Sequence, residues 1–330
     1  MRIKAVTPPM ALPGGCVRVD MESVNDPSQV KVEVGGVPAE ILGASSSVLT
    51  VRVPDSAGNG LKVRASEEGQ IDLKVGRLVA SELHPVANPV LDSMDNIYVT
   101  YSGTRGEKVP FSVFVVNKDG SKHPFLAEVI NPTGLAVGPD DCLYITSRYT
   151  GVVYRSTFDK QVEKYVEGLG LATGVVFDSK GNLFVGDRGG KIYKISSSLE
   201  QTVLCELEPS VSAYHLAISQ DDTLFVTGPT LATQDCIYEI SPAGEVDVFF
   251  KGLGRPQGLG FDPQGHLQVA ASWRGKKGLY TFREARQSMP ELTVSGPMLV
   301  GFAYSNRGDA LYLADNSSLF CLDSGNGLSH

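Results

Sequence analysis

Short strand-like segments recur at a nearly fixed spacing over most of this chain, and that spacing restricts the fold more than any other feature. Turn-then-strand segments occur at Asp95-Asn96-Ile97-Tyr98-Val99, Asp141-Cys142-Leu143-Tyr144-Ile145, Gly181-Asn182-Leu183-Phe184-Val185, Asp222-Thr223-Leu224-Phe225-Val226, Gly265-His266-Leu267-Gln268-Val269 and Asp309-Ala310-Leu311-Tyr312-Leu313. Their first aliphatic residues stand at 97, 143, 183, 224, 267 and 311, so the steps are 46, 40, 41, 43 and 44 residues. A second series, each ending in an aromatic, keeps the same period: Val113-Phe114, Val153-Tyr154, Ile192-Tyr193, Ile237-Tyr238, Leu279-Tyr280 and Leu319-Phe320. No stretch carries apolar residues at helical spacing over helix length, so a helical solenoid is excluded. A period near 40 filled with short alternating strands predicts the blades of a propeller.

Each repeat reads as four strands, the innermost rich in small residues, as in Thr133-Gly134-Leu135-Ala136-Val137, because inner strands converge on a narrow axis. The sixth repeat is one strand short: after Leu319-Phe320-Cys321-Leu322 only a polar Gly/Ser tail remains. A matching segment, Arg77-Leu78-Val79-Ala80-Ser81-Glu82-Leu83, precedes the first repeat. It is expected to close the ring as the outer strand of the last blade, removing an open seam; the alternative is a free linker. The fold class is therefore all-β: a small immunoglobulin-like sandwich over residues 1–76, a six-bladed β-propeller over 77–323 with 77–83 as its closing strand, and a flexible tail over 324–330.

The sandwich expectation rests on alternating strands with Gly/Pro turns, among them Val17-Arg18-Val19, Val30-Lys31-Val32-Glu33-Val34-Gly35-Gly36-Val37-Pro38-Ala39 and Val48-Leu49-Thr50-Val51-Arg52-Val53-Pro54. These residues resemble the IPT/TIG family, whose pattern includes a "V-x-V-G-G-V-x-A" strand and a closing "V-x-V-P". The resemblance implies a spacer or interaction module, through which a protein partner could bind, and not a catalytic unit. In the repeats, Asn131-Pro132-Thr133-Gly134-Leu135-Ala136-Val137-Gly138-Pro139-Asp140, Ala172-Thr173-Gly174-Val175-Val176-Phe177-Asp178-Ser179-Lys180-Gly181-Asn182-Leu183 and Arg255-Pro256-Gln257-Gly258-Leu259-Gly260-Phe261-Asp262-Pro263-Gln264-Gly265 are similar to "P-x-G-L-x-x-D-x-x-G-N-L-Y-V". That motif belongs to the superfamily joining NHL repeats, virginiamycin B lyase and the gluconolactonase group, which contains binding, lyase and lactonase members, so it speaks for fold more than for function.

Lactonase members of that superfamily hold a divalent metal on the axis through Glu, Asn and Asp, each just before a Gly at the start of an inner strand. The same register here reads Ala87, Thr133, Thr173, Tyr214, Gln257 and Val300. None is a carboxylate, and a hard cation needs oxygen ligands with some negative charge. The metal set is not recognisable, a metal site is not expected, and the cofactor stays unknown; Asn88 and Asn131, close by, leave only a rearranged site open.

One position later the register reads Asn88, Gly134, Gly174, His215, Gly258 and Gly301. The two departures from Gly lie in opposite repeats, so Asn88 and His215 could face one another across the channel. His215, beside Tyr214, reads either as a general acid/base with the phenol as partner or as a packed histidine satisfied by backbone. The loops between second and third strands carry Arg105, Arg148, Arg188 and Arg274, the last beside Trp273, the only Trp of the chain. Four guanidinium groups at one mouth, with Trp273 and Tyr149 as stacking surfaces, would suit a carboxylate, phosphate or acidic sugar; alternatively each pairs with a neighbouring Asp or strand end. His84 could join this face, while His123, His266 and His330 read as solvated.

A net charge of −8 argues against nucleic acid. No apolar run is long enough to span a membrane, and Met1-Arg2-Ile3-Lys4 leads into strand-like sequence without an apolar leader. Five scattered cysteines without CxxC spacing suit a reducing, cytoplasmic compartment. Two functional readings remain: a gluconolactonase-like enzyme acting on a small polar, anionic or sugar-derived molecule, a lactone or cyclic ester, with His215 as base; or a ligand-, carbohydrate- or protein-binding scaffold without chemistry. Ligand-contact candidates are Asn88, Asn131, Thr133, Thr173, Gln257, Arg105, Arg148, Arg188, Trp273 and Arg274.

Overall fold

The recurring Asp and Gly residues are turn devices. In the computed structural model, which describes residues 2–64, 68–284, 286 and 288–323, the turn after each innermost strand carries one residue in the left-handed region. These are Asp95, Asp141, Gly181, Asp222, Gly265 and Gly308, with φ of 62°, 54°, 78°, 63°, 87° and 69°. Gly adopts that conformation without steric cost and Asp tolerates it, which is why these two types alternate there. Three residues upstream, an Asp or Ser side chain often accepts the turn's N–H groups. Asp178 Oδ1 accepts from Lys180 N at 3.0 Å and Asn182 N at 2.7 Å, and Asp262 Oδ1 from Gln264 N at 2.9 Å and His266 N at 2.8 Å.

Each of these turns joins the first two strands of an antiparallel meander, and the meanders follow one another along the chain. The first comprises Val90–Leu91, Ile97–Thr100, Val113–Val116 and Lys122–Leu126. The second has Pro132–Val137, Leu143–Ser147, Val152–Ser156 and Val162–Val166. The third has Ala172–Phe177, Leu183–Asp187, Lys191–Ile195 and Gln201–Glu206, and the fourth His215–Ile218, Leu224–Thr227, Asp235–Ile240 and Val246–Leu253. In the fifth, Leu259–Phe261, Leu267–Trp273, Lys276–Phe282 and Glu291–Ser295 are extended by two further strands. The last contains Gly301–Tyr304, Ala310–Ala314 and Leu319–Asp323, with Arg77–Ala80 paired antiparallel on its outer edge.

Each seam between neighbouring sheets has its own apolar core. Tyr98, Phe125 and Ile145 fill the first, Tyr144, Val153 and Val185 the second, Phe184, Leu216 and Val226 the third. Phe225, Phe249, Tyr280 and Phe282 fill the fourth and Leu279, Phe302 and Leu311 the fifth. Ile97, Val116, Tyr312 and Leu319 join the last sheet to the first, where Asn306 N also donates to Asp95 Oδ1 at 2.8 Å. The ring is closed, and the fold is an all-β propeller. Second strands are covered on both faces, so Ile97–Thr100 and Leu143–Ser147 are buried throughout instead of alternating.

Before the ring, two four-stranded sheets face each other. One contains Ile3–Thr7, Cys16–Met21, Val48–Arg52 and Glu40–Ala44; the other Val37–Pro38, Lys31–Val34, Leu61–Arg64 and Glu68–Ile71. Alternating residues of both, including Val17, Val19, Leu49, Val32 and Val63, form one core. This unit does not swing free. Met10–Ala11 pairs in parallel with Glu291–Ser295 and is flanked by Lys74–Val75, so the fifth sheet continues into it as a six-stranded sheet. Leu12 is fully buried in the seam between the fifth and last sheets, and its N–H donates to Ser295 O at 2.7 Å. Among the described residues no helix is long and apolar enough to cross a membrane. The tail at 324–330, with His330, lies outside the described residues.

Candidate functional site

The pairings Pro132↔Ser147, Ala172↔Asp187 and His215↔Thr227 bring the heads of the inner strands and the loops between second and third strands to one end of the ring. The candidate residues gather at that end, but many are already spent on holding the ring together.

Asn88 does not face His215 across a channel. Its Nδ2 donates to Leu259 O at 2.7 Å and its Oδ1 accepts from Phe302 N at 3.1 Å, so it ties the fifth and last sheets together. The glycines of this register explain why: a Cβ at Gly174 would sit 2.6 Å from Tyr214 O, and one at Gly301 2.6 Å from Ala87 O. The position packs against the next inner strand, so a side chain there enters an inter-sheet seam. His215, its counterpart in the fourth sheet, is 3% exposed. Burial lowers its pKa from 6.5 to about 4, and the Gln257 side chain against the ring offsets only part of this. The imidazole is therefore neutral at pH 7, and among the described residues its Nε2 has no hydrogen-bond partner.

Tyr214 is not the partner of His215. Neighbouring residues on a strand point to opposite sides, and the Tyr214 hydroxyl donates to Glu208 O. Burial raises its pKa, so the phenol keeps its proton. Thr173 Oγ1 donates to Gly186 O at 2.8 Å and accepts from Tyr214 N at 3.1 Å, and Thr133 Oγ1 donates to Asn131 O at 3.4 Å. Asn131 is fully buried; its Nδ2 donates to Gly103 O at 2.9 Å and Thr104 O at 2.8 Å, while Oδ1 accepts from Gly106 N at 2.7 Å. It braces a loop rather than a ligand. In the lactonase metal register, Thr133, Thr173 and Tyr214 are engaged in this framework, Gln257 lies on His215, and Ala87 and Val300 offer no donor. All are neutral, so the set does not fit a hard cation, and among the described residues no three His, Cys, Asp or Glu cluster as metal ligands.

The four arginines divide. Arg148 is half-buried; burial first, and the charge of Arg188 second, lower its pKa. Its Nη2 reaches Ser102 Oγ at 3.4 Å, and Arg188 Nε donates to Ser210 O at 3.1 Å. No carboxylate pairs with either among the described residues. Arg105 is exposed on the loop whose Gly106 lies under Tyr149. Arg274 and Trp273, in the corresponding loop of the fifth sheet, line a groove against the outer strand of the fourth sheet, with Arg274 Cζ 4.3 Å from the centre of the indole ring. His84 is exposed, and its Nδ1 bonds the carbonyl of Ser102, the residue whose hydroxyl Arg148 approaches. His123 is exposed. His266 is not simply solvated: its Nδ1 lies 2.9 Å from Asp262 Oδ2.

Ser102 and Ser210, which orient the two arginines, were not legible as site residues because serines in loops carry no repeat signal. Arg255 stands at the same repeat position as Asn131. It is exposed at the head of the fifth sheet's inner strand with φ of 49°, matching Asn131 at 48°, each just before a proline. The shared Xaa-Pro-Xaa-Gly alignment is the sequence signal of that equivalence.

No protein-family model matches the chain, and no curated protein does. Solved structures do. An auxiliary nutrient binding protein from Bacteroides ovatus is 12% identical, with 97% of each chain covered and a TM-score of 0.56. A gluconolactonase from Xanthomonas campestris is 16% identical over 75% of this chain and 89% of its own, with a TM-score of 0.61. A catalytically inactive virginiamycin B lyase from Staphylococcus aureus is 12% identical over 93% of this chain and 99% of its own, with a TM-score of 0.56. At these identities the likeness is one of fold. It defines the class: a β-propeller protein whose structural neighbours include gluconolactonase, virginiamycin B lyase and nutrient-binding proteins.

Proposed function

We propose that this is a six-bladed propeller, preceded by an IPT/TIG-like module, that binds a small anionic, sugar-derived molecule at the end of the ring where Arg148 and Arg188 meet, without transforming it. One observation carries the reading. Arg148 is half-buried beside the exposed Arg188, and among the described residues no carboxylate pairs with either guanidinium. Holding a partly desolvated guanidinium beside a second one is unfavourable unless an anion completes the site, and guanidinium groups match carboxylate or phosphate through paired hydrogen bonds.

Turnover of a lactone is the weaker reading, because its proposed base is sealed in a seam as a neutral imidazole and the proposed phenol partner is bonded to a backbone carbonyl. The likeness of nearly the whole chain to a nutrient binding protein favours binding as well. The five free cysteines suit a reducing compartment.

Calorimetric titration with gluconate, glucose and gluconolactone tests this, alongside a hydrolysis assay on the lactone. Gluconate is expected to bind, and glucose to bind at least tenfold more weakly. Arg148→Gln should weaken gluconate by about tenfold or more, the worth of one charge-assisted hydrogen bond. Equal binding of glucose, or full affinity in both Arg148→Gln and Arg188→Gln, would overturn the assignment. Lactone hydrolysis abolished by His215→Ala would restore the enzyme reading.

A further inference from the structure

The groove that holds Trp273 and Arg274 shares no lining residue with the Arg148 and Arg188 pair. It has a volume of about 510 Å³ and lies between the outer strand of the fourth sheet and two loops of the fifth. Its apolar lining is formed by Val248, 40% exposed, Met289, 66% exposed, and the buried Phe250. Its cationic lining is formed by Lys251 and Arg274. The Arg274 guanidinium stacks on the indole at 4.3 Å and donates to Met289 Sδ at 3.8 Å. Those contacts hold it in place without neutralising it. The carboxylates of the adjoining strands are already taken, because Arg286 pairs with Glu239 at 2.6 Å and Asp247 at 3.0 Å. Among the described residues no carboxylate pairs with Lys251 or Arg274, and the indole N–H has no acceptor.

From this arrangement we infer that the groove binds a small amphipathic carboxylate, a medium-chain or aromatic acid. Its head sits between Lys251 and Arg274, and its apolar body lies on Val248, Phe250 and Met289. Charge complementarity selects the head, and exposed apolar surface that is otherwise solvated selects the body. A purely polar anion would leave the apolar lining wet, and a neutral chain would leave both cations unpaired. The volume falls within the range that small-molecule sites occupy.

Trp273 is the only Trp in the chain, so its fluorescence reports on this groove alone. Octanoate is expected to give a saturable change in emission, while acetate and 1-octanol at the same concentrations give at least tenfold weaker responses. Arg274→Gln and Lys251→Gln should each weaken octanoate about tenfold, the effect of losing one charge-assisted contact. Both side chains are exposed, so both variants should keep the parent melting temperature, which is measured in parallel. Arg148→Gln should leave octanoate affinity within twofold, which separates this site from the one at the end of the ring. An equal response to 1-octanol, no saturable response to octanoate, or unchanged affinity in both charge variants would overturn the proposal.

Discussion

At the scale of single residues, a histidine held neutral by burial makes stability depend on pH. Unfolded, His215 has its ordinary pKa of 6.5; folded, it has about 4. Between these values the unfolded chain binds more protons, so stability rises with pH. The contribution is complete above pH 6.5 and is lost as the pH falls, so that by pH 4 about 3 kcal/mol of stability has gone. Urea unfolding of the parent and of His215→Leu at pH 7 and pH 4 checks this. The parent should lose about 3 kcal/mol more than the variant over that interval; equal losses would mean that the imidazole is not sealed. The same residue shows how sequence and structure divide here. That position 215 departs from a Gly register was readable, and so was its place at the head of an inner strand. Which way the side chain turns was not, because the register faces the neighbouring strand and only packed sheets reveal that.

At the scale of elements, the seams carry the stability. Asn88 spans one of them by serving Leu259 O and Phe302 N together. Asn88→Ala leaves both backbone groups without a partner in a crowded interface, and about 2–4 kcal/mol of stability should be lost. Chemical denaturation reads that loss, and gluconate affinity should not change. A variant with parent stability but impaired binding would instead make Asn88 a ligand contact. The strands themselves were legible. Ile97, Leu143, Leu183, Leu224 and Leu267 each open a second strand, and Leu311 is the second residue of Ala310–Ala314. The Asp/Gly alternation before them reflects a local demand for positive φ, and a local demand is one that sequence can display.

At the scale of the whole molecule, the N-terminal sheets and the ring are coupled through Leu12 and the six-stranded sheet. Leu12→Ala opens a cavity where the fifth and last sheets meet and should cost about 2–5 kcal/mol. Scanning calorimetry should show one transition for the parent. In the variant the N-terminal unit should melt apart from the ring, and a single unshifted transition would mean that the docking contributes little. Nothing in Met10-Ala11-Leu12-Pro13 signals that it extends a sheet more than 270 residues away.

What the amino-acid sequence determined alone is whatever rests on local or periodic physics: an all-β chain, a repeat near 40 residues, the turns, and a spare strand at 77–80 beside a last repeat that lacked one. It could also show that the lactonase carboxylates are missing, since that is a question of residue type. Tertiary structure decided which polar groups are left over. Asn88, Asn131, Thr133, Thr173 and Tyr214 proved to be consumed by seams and loops, and four arginines at one repeat position separated into a pair at the end of the ring, one on an exposed loop and one in an outer groove. Hydrogen-bond satisfaction and burial are properties of the assembled ring, where partners come from distant segments. A repeat position records where a residue stands in its sheet, and only the neighbouring sheets determine what it has left to offer a ligand.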